Sequence, residues 1–420
     1  MSMSRGETSA AERGPGWGSR VLMLGGGLLG AMALMAITSV LPKIGTALAH
    51  GPGDGLLIKQ LVGIVSLAMV VGAPLSGLLV DRLGLRPVLV ASGLLYALAG
   101  TAGLYLNGLP LLLASRLFVG VAAAAIQIIS ITLINTRLST DDRAKWIGWH
   151  MATAMIGTIV VHPLAGFLGE FSWRWPFALY AVGLLVVPVA LLDPAIGKTP
   201  PAEEPRTQTV APRGGPGWLG WFPFHYMLLA LFIGGITYVP MIYVPFLLRQ
   251  HGLESSTLIS LVLTADSVIG AVMAMFYGRA RRKVSAHGAF AFSFAMTGLG
   301  TLVASLSPSI PGIVVGLIIF GFGVGWFISN LMTALAAKVG RAQQGRATGY
   351  VKAAHFLSAP VCVVLMEPLS RAYGPQGVML AVSATALVLL LLMLLRMAQL
   401  RRRDHKVAQA EGRVTTPAHG

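Results

Sequence analysis

Long apolar runs, separated by short polar segments, recur along almost the whole chain. A run of about 20 apolar residues is the length at which an α-helix crosses the hydrocarbon core of a bilayer. The runs are continuous, which excludes the alternating pattern of a membrane β-barrel. We therefore predict an all-α membrane protein with twelve transmembrane helices, at residues 20–42, 57–80, 87–106, 109–135, 145–168, 175–193, 222–248, 257–278, 286–306, 310–337, 347–367 and 374–396.

The longest polar segment lies between the sixth and seventh apolar runs. It contains Lys198-Thr-Pro-Pro-Ala-Glu-Glu-Pro and Arg213-Gly-Gly-Pro-Gly, and this Pro- and Gly-rich composition is typical of a linker. The chain is thereby predicted to consist of a cytoplasmic N-terminal tail (1–19), a six-helix half (20–194), a cytoplasmic linker (195–221), a second six-helix half (222–396) and a cytoplasmic basic tail (397–420).

Composition agrees with a membrane protein, and charge predicts its orientation. Of the 420 residues 55% are hydrophobic and only 11% are charged, against about a quarter charged in soluble domains. The net charge is +16, and a cytoplasmic N-terminus would place the basic clusters on the cytoplasmic side, as the positive-inside rule requires. We therefore expect both termini in the cytoplasm and no nucleic-acid partner, and the composition, rich in Ala, Gly, Leu and Arg, suggests a bacterial inner membrane. These clusters fall at 82–86, 137–145, 279–283, 338–346 and 401–403.

The loop after the second predicted helix reads Gly77-Leu-Leu-Val-Asp-Arg-Leu-Gly-Leu-Arg-Pro87. Gly77 would permit close helix approach, Gly84 would allow a tight turn, and Asp81 and Arg82 would form a charge pair. This loop resembles the G-x-x-x-D-R-x-G-x-R signature of the major facilitator superfamily. The resemblance implies a transporter whose two halves rock against each other, and it implies that these residues, with Arg86, gate the conformational change. The alternative is an ordinary basic loop.

The fourth predicted helix contains Arg116-Leu-Phe-Val-Gly-Val-Ala-Ala-Ala-Ala125, which is similar to the second motif of this superfamily. Its small residues would let the helix pack closely on a neighbour. A buried Arg116 must find a carboxylate, carbonyls, water or an anionic ligand, because the guanidinium stays charged. We therefore place Arg116 among the candidate substrate contacts; the alternative is that it snorkels toward the membrane surface.

The fifth predicted helix contains Gly157-Thr-Ile-Val-Val-His-Pro-Leu-Ala-Gly166, which resembles the antiporter signature of the superfamily. The resemblance implies that Pro163 takes part in conformational gating. The segment departs from that signature because His162 replaces a glycine. The next segment, Trp173-Arg-Trp-Pro-Phe177, resembles an element of the drug:proton antiporter branch, so the resemblance favours export. His162 can titrate near physiological pH and is a candidate proton-coupling residue, or it is a hydrogen-bonded helix residue.

A single carboxylate, Asp266, lies deep in the eighth predicted helix. It is 12 residues from Glu254 and 13 from Arg279, or roughly 18–20 Å from either end of the helix. Ionised carboxylates are costly at that depth, so the neutral form is favoured there and the group can gain and lose a proton. We assign Asp266 to proton coupling; the alternative is one structural hydrogen bond. The small-residue stretch Gly321-Phe-Gly-Val-Gly325 of the tenth helix mirrors that of the fourth.

Other polar groups at depth are neutral or basic. Lys352 and His355 share one face of the eleventh predicted helix, and Gln127, Tyr238 and Asn330 can donate or accept hydrogen bonds. All five are candidate substrate contacts. Two cations and two histidines (Arg116, Lys352, His162 and His355) against the single acid Asp266 suit an anionic or zwitterionic compound. Lys352 can instead pair with an acid or reach the cytoplasmic edge.

The leading hypothesis is a secondary active transporter that moves a small organic compound by alternating access, with proton-coupled efflux favoured. The alternative is proton-coupled or facilitated uptake of an organic anion or metabolite, which the basic side chains favour. A sensor or scaffold would need an additional soluble domain. An enzyme is not expected, because the helices carry no nucleophile–base spacing, nucleotide-binding loop or metal-ligand cluster. We expect no cofactor or metal, and as partners a small-molecule substrate, protons and the lipid bilayer around a monomer.

Overall fold

The computed structural model describes residues 16–197, 221–339 and 344–414, and their secondary structure is helical throughout. Eleven helical segments are long and apolar enough to cross a membrane, and the last of them contains two spans, which gives twelve. The first ten spans are α1 Trp17–Leu48, α2 Asp54–Leu83, α3 Leu85–Leu104, α4 Leu109–Arg137, α5 Thr140–Phe171, α6 Trp175–Leu192, α7 Trp221–Gln250, α8 Ser256–Ala280, α9 Ala286–Leu306 and α10 Ile310–Ala336.

Two of the eleven helical segments contain a break. The segment Gln344–Val414 is divided at Gly374, whose φ of 65° and ψ of −170° are not helical; we call the parts before and after it α11 and α12. Glycine occupies such a positive φ without steric cost. Span α1 consists of helices Trp17–Met35 and Leu41–Leu48, joined by a 3₁₀ turn at Thr38–Val40. The predicted all-helical fold with twelve spans is thereby confirmed.

Local sequence signals end and begin these helices. The hydroxyls of Ser139, Ser255 and Ser285 accept hydrogen bonds from backbone N–H groups in the first turns of α5, α8 and α9. Such caps satisfy donors that a helix start leaves unpaired. Gly84 has a φ of 87° and makes the turn between α2 and α3. The short connections keep consecutive helices antiparallel.

The structure differs from expectation beyond residue 396. Helix α12 continues to Val414, into the segment predicted as a basic tail, because this stretch is rich in arginine and alanine, which favour helix. The predicted linker lies mostly outside the described residues, since only 195–197 and Trp221 of it are described.

Glycines bring corresponding helices close together in the two halves. In the first half a Cβ added to Gly120 of α4 would lie 2.6 Å from the Cβ of Ala68 on α2. In the second half a Cβ on Gly325 of α10 would lie 2.8 Å from the Cβ of Met273 on α8. Both distances are too short for a side chain, so these pairs pack backbone against backbone. The repeat between the halves therefore extends to helix packing.

The halves meet mainly along two helix pairs, α2 with α11 and α5 with α8, and the outer part of α1 makes smaller contacts with α7 and α8. Gln60 of α2 donates to the carbonyl oxygen of Pro360 on α11 at 3.0 Å. A Cβ added to Gly166 of α5 would lie 2.5 Å from the Cβ of Ser260 on α8. These contacts lie toward the end of the bundle that holds the α1–α2 connection. We call it the outer end, because the charge pattern predicts that it faces away from the cytoplasm.

Candidate functional site: the cleft between the halves

Lys352 of α11 is exposed although it lies inside a membrane span. The exposed apolar face of the same helix includes Tyr350 and Leu357. At 100° per residue, Lys352 points about 140–160° away from that face. The face with Tyr350 and Leu357 suits contact with lipid, so Lys352 is exposed to the space between the halves, which we call the cleft. No described residue forms an ion pair with it.

Two further predicted residues lie beside Lys352. The ring of His355 packs on the ring of Tyr238 from α7, with centroids 5.2 Å apart. The positive charge of Lys352 acts on His355 and also on His150 of α5, in the opposite half. Nδ1 of His150 lies 2.7 Å from the carbonyl oxygen of Met23, and because a carbonyl only accepts, Nδ1 carries the hydrogen.

Sequence reasoning missed His150. It lies near the cytoplasmic start of the fifth predicted helix, where a histidine is unremarkable, and nothing local relates it to a lysine 202 positions later. Only the packing of α5 against α1 and the facing of the two halves bring it within range of Lys352.

Asp266 faces the protein interior. The exposed apolar face of α8 includes Leu261 and Val268, and the carboxylate points about 140–160° away from it. Its side chain is half-buried, and its one hydrogen bond to another side chain, from Ser267 Oγ, is long at 3.5 Å. The carboxylate has no ion pair among the described residues, and Lys352 is not a partner.

His162 lies on the helix that faces α8. Its Nε2 is 3.4 Å from Thr38 Oγ1, in the interrupted part of α1, and its buried Nδ1 has no described hydrogen-bond partner. Gly166 and Ser260 mark the outer crossing of the antiparallel helices α5 and α8. From that crossing His162 is four residues inward and Asp266 is six, or about 6 and 9 Å. The two residues are therefore at similar depths on facing helices, and Pro163 follows His162 within α5.

Gln127 of α4 is half-buried and packs against α1. A Cβ added to Gly30 of α1 would lie 2.9 Å from Gln127 Cγ, so the amide occupies space that the glycine leaves open. Gln127 lies in the first half at the contact between α1 and α4.

Arg116 is not with the other predicted substrate contacts. It is fully buried, and Nη2 donates to the carbonyl oxygens of Ala99 and Gly100 at 2.8 and 2.7 Å. Its guanidinium also lies over the rings of Phe177 and Tyr180, at 4.9 and 4.8 Å from their centroids. These contacts lie between α3, α4 and α6 of one half. Carbonyls and aromatic faces stabilise the cation there, and the snorkelling alternative is ruled out by its burial.

Asn330 likewise has partners within one half. Its Oδ1 accepts from the hydroxyl of Tyr277 at 3.0 Å, and its Nδ2 donates to the carbonyl oxygen of Ala286 at 2.9 Å. The residue is fully buried. The amide therefore joins α8, α9 and α10 within the second half, and both of its polar atoms have protein partners.

The signature loop has an unexpected geometry. A Cβ added to Gly77 would meet nothing within 4 Å, so the predicted close helix approach at Gly77 is wrong; the close contact occurs at Gly72, where a Cβ would lie 2.9 Å from Val121 Cα. Asp81 and Arg82 are exposed, and the predicted charge pair between them is not formed.

Arg86 anchors this loop within the first half. Its Nη2 donates to the carbonyl oxygen of Asp193 at 3.0 Å. The buried carboxylate of Asp193 in turn accepts from the backbone N–H and the hydroxyl of Ser19 at 2.8 and 3.1 Å. The loop is thereby tied to the start of α1 and the end of α6.

A buried ion pair, which we call the outer latch, joins α2 to α11. Lys59 Nζ lies 2.9 Å from Glu367 Oε2, and each side chain is only 10% exposed. Lys59 also donates to Ser370 Oγ at 2.9 Å and lies 5.0 Å from the centroid of the Tyr243 ring. Arg371 contacts the other oxygen of Glu367 at 2.9 Å.

A second polar cluster joins α1 and α5 to α8 at the same end. Lys43 lies 3.1 Å from Glu170, and Glu170 also accepts from the Ser255 hydroxyl and from the backbone N–H of Thr257. The polar contacts of Lys59, Gln60 and Glu170 with the second half lie toward the outer end. The structure is therefore closed there. In the part of the chain that the structure describes, no group of three or more His, Cys, Asp or Glu could hold a metal ion.

Several transporters have similar sequences. The chain is 30% identical to the class B tetracycline resistance protein of Escherichia coli over 155 residues, which are 37% of this chain and 38% of that protein. It is 23% identical to multidrug resistance protein 1 of Bacillus subtilis (strain 168) over 249 residues, or 57% of this chain and 62% of the relative. Rat monocarboxylate transporter 4 is 24% identical over 399 residues, which cover 89% of this chain and 79% of the relative.

Solved transporter structures share the fold. A crystal structure of a D-xylose-proton symporter superposes with a TM-score of 0.72 at 18% identity, covering 90% of this chain and 97% of the other. The family model of the Major Facilitator Superfamily matches residues 23–259 and 253–418. With twelve spans in two halves and a cleft between them, this chain is a multi-pass membrane protein and belongs to the Major Facilitator Superfamily.

Proposed function

We propose that the protein is a secondary active transporter that exports a small organic compound in exchange for entering protons. It would act in a bacterial inner membrane with both termini in the cytoplasm, as the basic loops favour. The observation that carries the proposal is Asp266, a carboxylate on the interior side of α8 without an ion-pair partner among the described residues.

Asp266 would carry the coupled proton. Neutralised, it can remain in an apolar passage while the halves move; ionised, it needs water or a cation. His162 lies at a similar depth on α5, so the two groups lie on helices of opposite halves that pack against each other. A proton entering from the outer end would encounter both groups before it reaches the cytoplasmic side.

Alternating access would follow from rocking of the halves. In the structure the outer end is closed by the Lys59–Glu367 pair and by the contacts of Glu170 with Ser255 and Thr257. Opening the outer end must break both sets of contacts, and closing the cytoplasmic end would bring the exposed loop residues Asp81 and Arg82 toward the second half. The loop would act as a gate in this way.

Export is favoured by the names of relatives. The tetracycline and multidrug resistance proteins match parts of this chain, and the Trp173-Arg-Trp element resembles that branch. Because the match to the class B tetracycline protein spans 38% of its length, its substrate is not transferred to this chain.

Vesicles of opposite orientation test the direction of transport. A growth screen of a deletion strain against toxic compounds and carbon sources first identifies the compound to be tested. Inside-out vesicles with an acidic lumen should then accumulate it, and a protonophore should abolish accumulation. The variant Asp266→Asn, present at normal amount in the membrane, is the control. Accumulation only in right-side-out vesicles under an inward proton gradient would overturn export.

Uptake of an organic anion is the second candidate. The exposed Lys352, with His355 beside it, favours this function, as does the match to rat monocarboxylate transporter 4 along 89% of this chain. The same vesicle experiment separates the two functions, because it measures direction independently of substrate charge.

A further inference from the structure

The charge of Lys352 has no counter-charge in the cleft. It is exposed on the interior side of α11, and no described carboxylate contacts it. Among the described residues, Asp266 on the interior side of α8 forms no ion pair with it. An ammonium group that loses its hydration during part of the transport cycle needs an anionic or hydrogen-bonding partner.

The groups around Lys352 come from both halves. His355 and Tyr238 belong to the second half and form a ring pair with centroids 5.2 Å apart. Phe356 adds a third ring, 6.0 Å from His355. His150 belongs to the first half and lies within electrostatic range of Lys352. The site thus has a cationic centre, an aromatic wall and a further basic group across the cleft.

We propose that the substrate is an organic monocarboxylate, whose carboxylate binds Lys352 and whose apolar body packs on Tyr238 and Phe356. This inference rests on the proposed transport function and names the class of its substrate. A single lysine suits one negative charge, whereas phosphate groups are more often held by arginine forks. Arg116 is buried in the first half between α3, α4 and α6, where its Nη2 donates to carbonyl oxygens, so it is not a residue of this site.

The carboxylate would also make closure of the cytoplasmic end favourable. As the halves approach there, Lys352 on α11 moves toward α5 and loses water. Without an anion the ammonium would be buried unpaired beside His150, which disfavours the closed state. A bound carboxylate neutralises Lys352 and can bridge to the histidine across the cleft. The substrate would then be part of the closing contact.

Cysteine labelling measures the charge of this site. In a Cys362→Ser background, Gly349→Cys places a thiol three residues before Lys352, at an exposed position where a Cβ meets nothing within 4 Å. Anionic 2-sulfonatoethyl methanethiosulfonate should react faster than its cationic trimethylammonioethyl analogue. Adding Lys352→Gln should lower the ratio of the two rates about tenfold. Lys352→Arg should retain the ratio, and Lys283→Gln in an exposed loop is the matched control.

Protection of the introduced Cys thiol from labelling identifies the class of substrate in the same purified protein. Benzoate, 3-phenylpropionate and hexanoate are compared with their amides as inhibitors of labelling by neutral N-ethylmaleimide. We expect carboxylates to slow labelling, and Lys352→Gln to remove the effect. The proposal is overturned if no carboxylate protects, if the amides protect equally, or if Lys352→Gln leaves the rate ratio unchanged. No proton gradient is present, so failure of proton-coupled export would not alter this result.

Discussion

Removing the outer latch should shift the protein toward an outward-open state. Lys59→Met keeps most of the side-chain volume but deletes the ammonium that contacts Glu367 and Ser370 at 2.9 Å. A hydrogen bond to a charged group contributes about 1.5–3 kcal/mol net, and we take the lower value because Arg371 still neutralises Glu367. The outer-closed state should lose about 1.5 kcal/mol, so the ratio of outer-open to outer-closed molecules should rise about tenfold.

Spin-label distances measure that shift. In a Cys362→Ser background, labels at Gly55 and Tyr373 report the outer end, because both positions are exposed. Labels at Gly148 and Gly278 report the opposite end, where an added Cβ meets nothing within 4 Å. Lys59→Met should increase the population with a longer label-to-label distance at the outer end. At the opposite end it should increase the population with a shorter distance.

Arg371→Gln is the matched control for the latch. Arg371 also contacts Glu367, but from the same helix and with a side chain that is 57% exposed. Its loss removes an ionic contact without removing one between the halves, so the distances should stay close to wild type. Unchanged distances in Lys59→Met, or an equal shift in Arg371→Gln, would refute the reasoning.

Three further predictions follow from the packing and the loop. Gly325→Val should lower the free energy of unfolding by about 1–3 kcal/mol because its Cβ would lie 2.8 Å from Met273 Cβ. Gly77→Val should have little effect, because a Cβ there meets nothing within 4 Å. Thermal melting in detergent compares the two variants, and equal melting temperatures would contradict the packing. Asn330→Leu should lower the free energy of unfolding by about 1–3 kcal/mol, because it leaves the two partners of Asn330 unpaired. It should not change the KM for transport, and a raised KM would instead indicate substrate contact. Asp81→Asn should retain substrate binding but slow turnover, and lost binding would count against a gating role.

The fold was predictable because bilayer physics restricts it strongly. Continuous apolar runs of fixed length admit only helices, so the number of spans and the approximate ends of α2 or α9 follow from hydropathy. Details set by backbone geometry did not follow. The interruption of α1 at Thr38–Val40 and the extension of α12 to Val414 depend on local dihedral preferences and helix propensity, which hydropathy does not measure.

The site was less predictable because sequence depth does not report which way a side chain points. Arg116 and Asn330 are deep polar residues, yet their partners lie within their own halves. Lys352 is equally deep and points into the cleft. The outer latch joins residues 308 positions apart, and only folding relates Lys59 to Glu367. A polar residue in a span predicts that a partner exists, not whether that partner is protein or substrate.

The central claim is that transport is coupled to protons through Asp266. The most direct measurement is the internal pH of proteoliposomes, followed with an entrapped dye while a gradient of the identified substrate is imposed without any initial pH difference. The account predicts substrate-driven proton movement in the wild type and none in folded Asp266→Asn. Equal proton movement in the two proteins would contradict it.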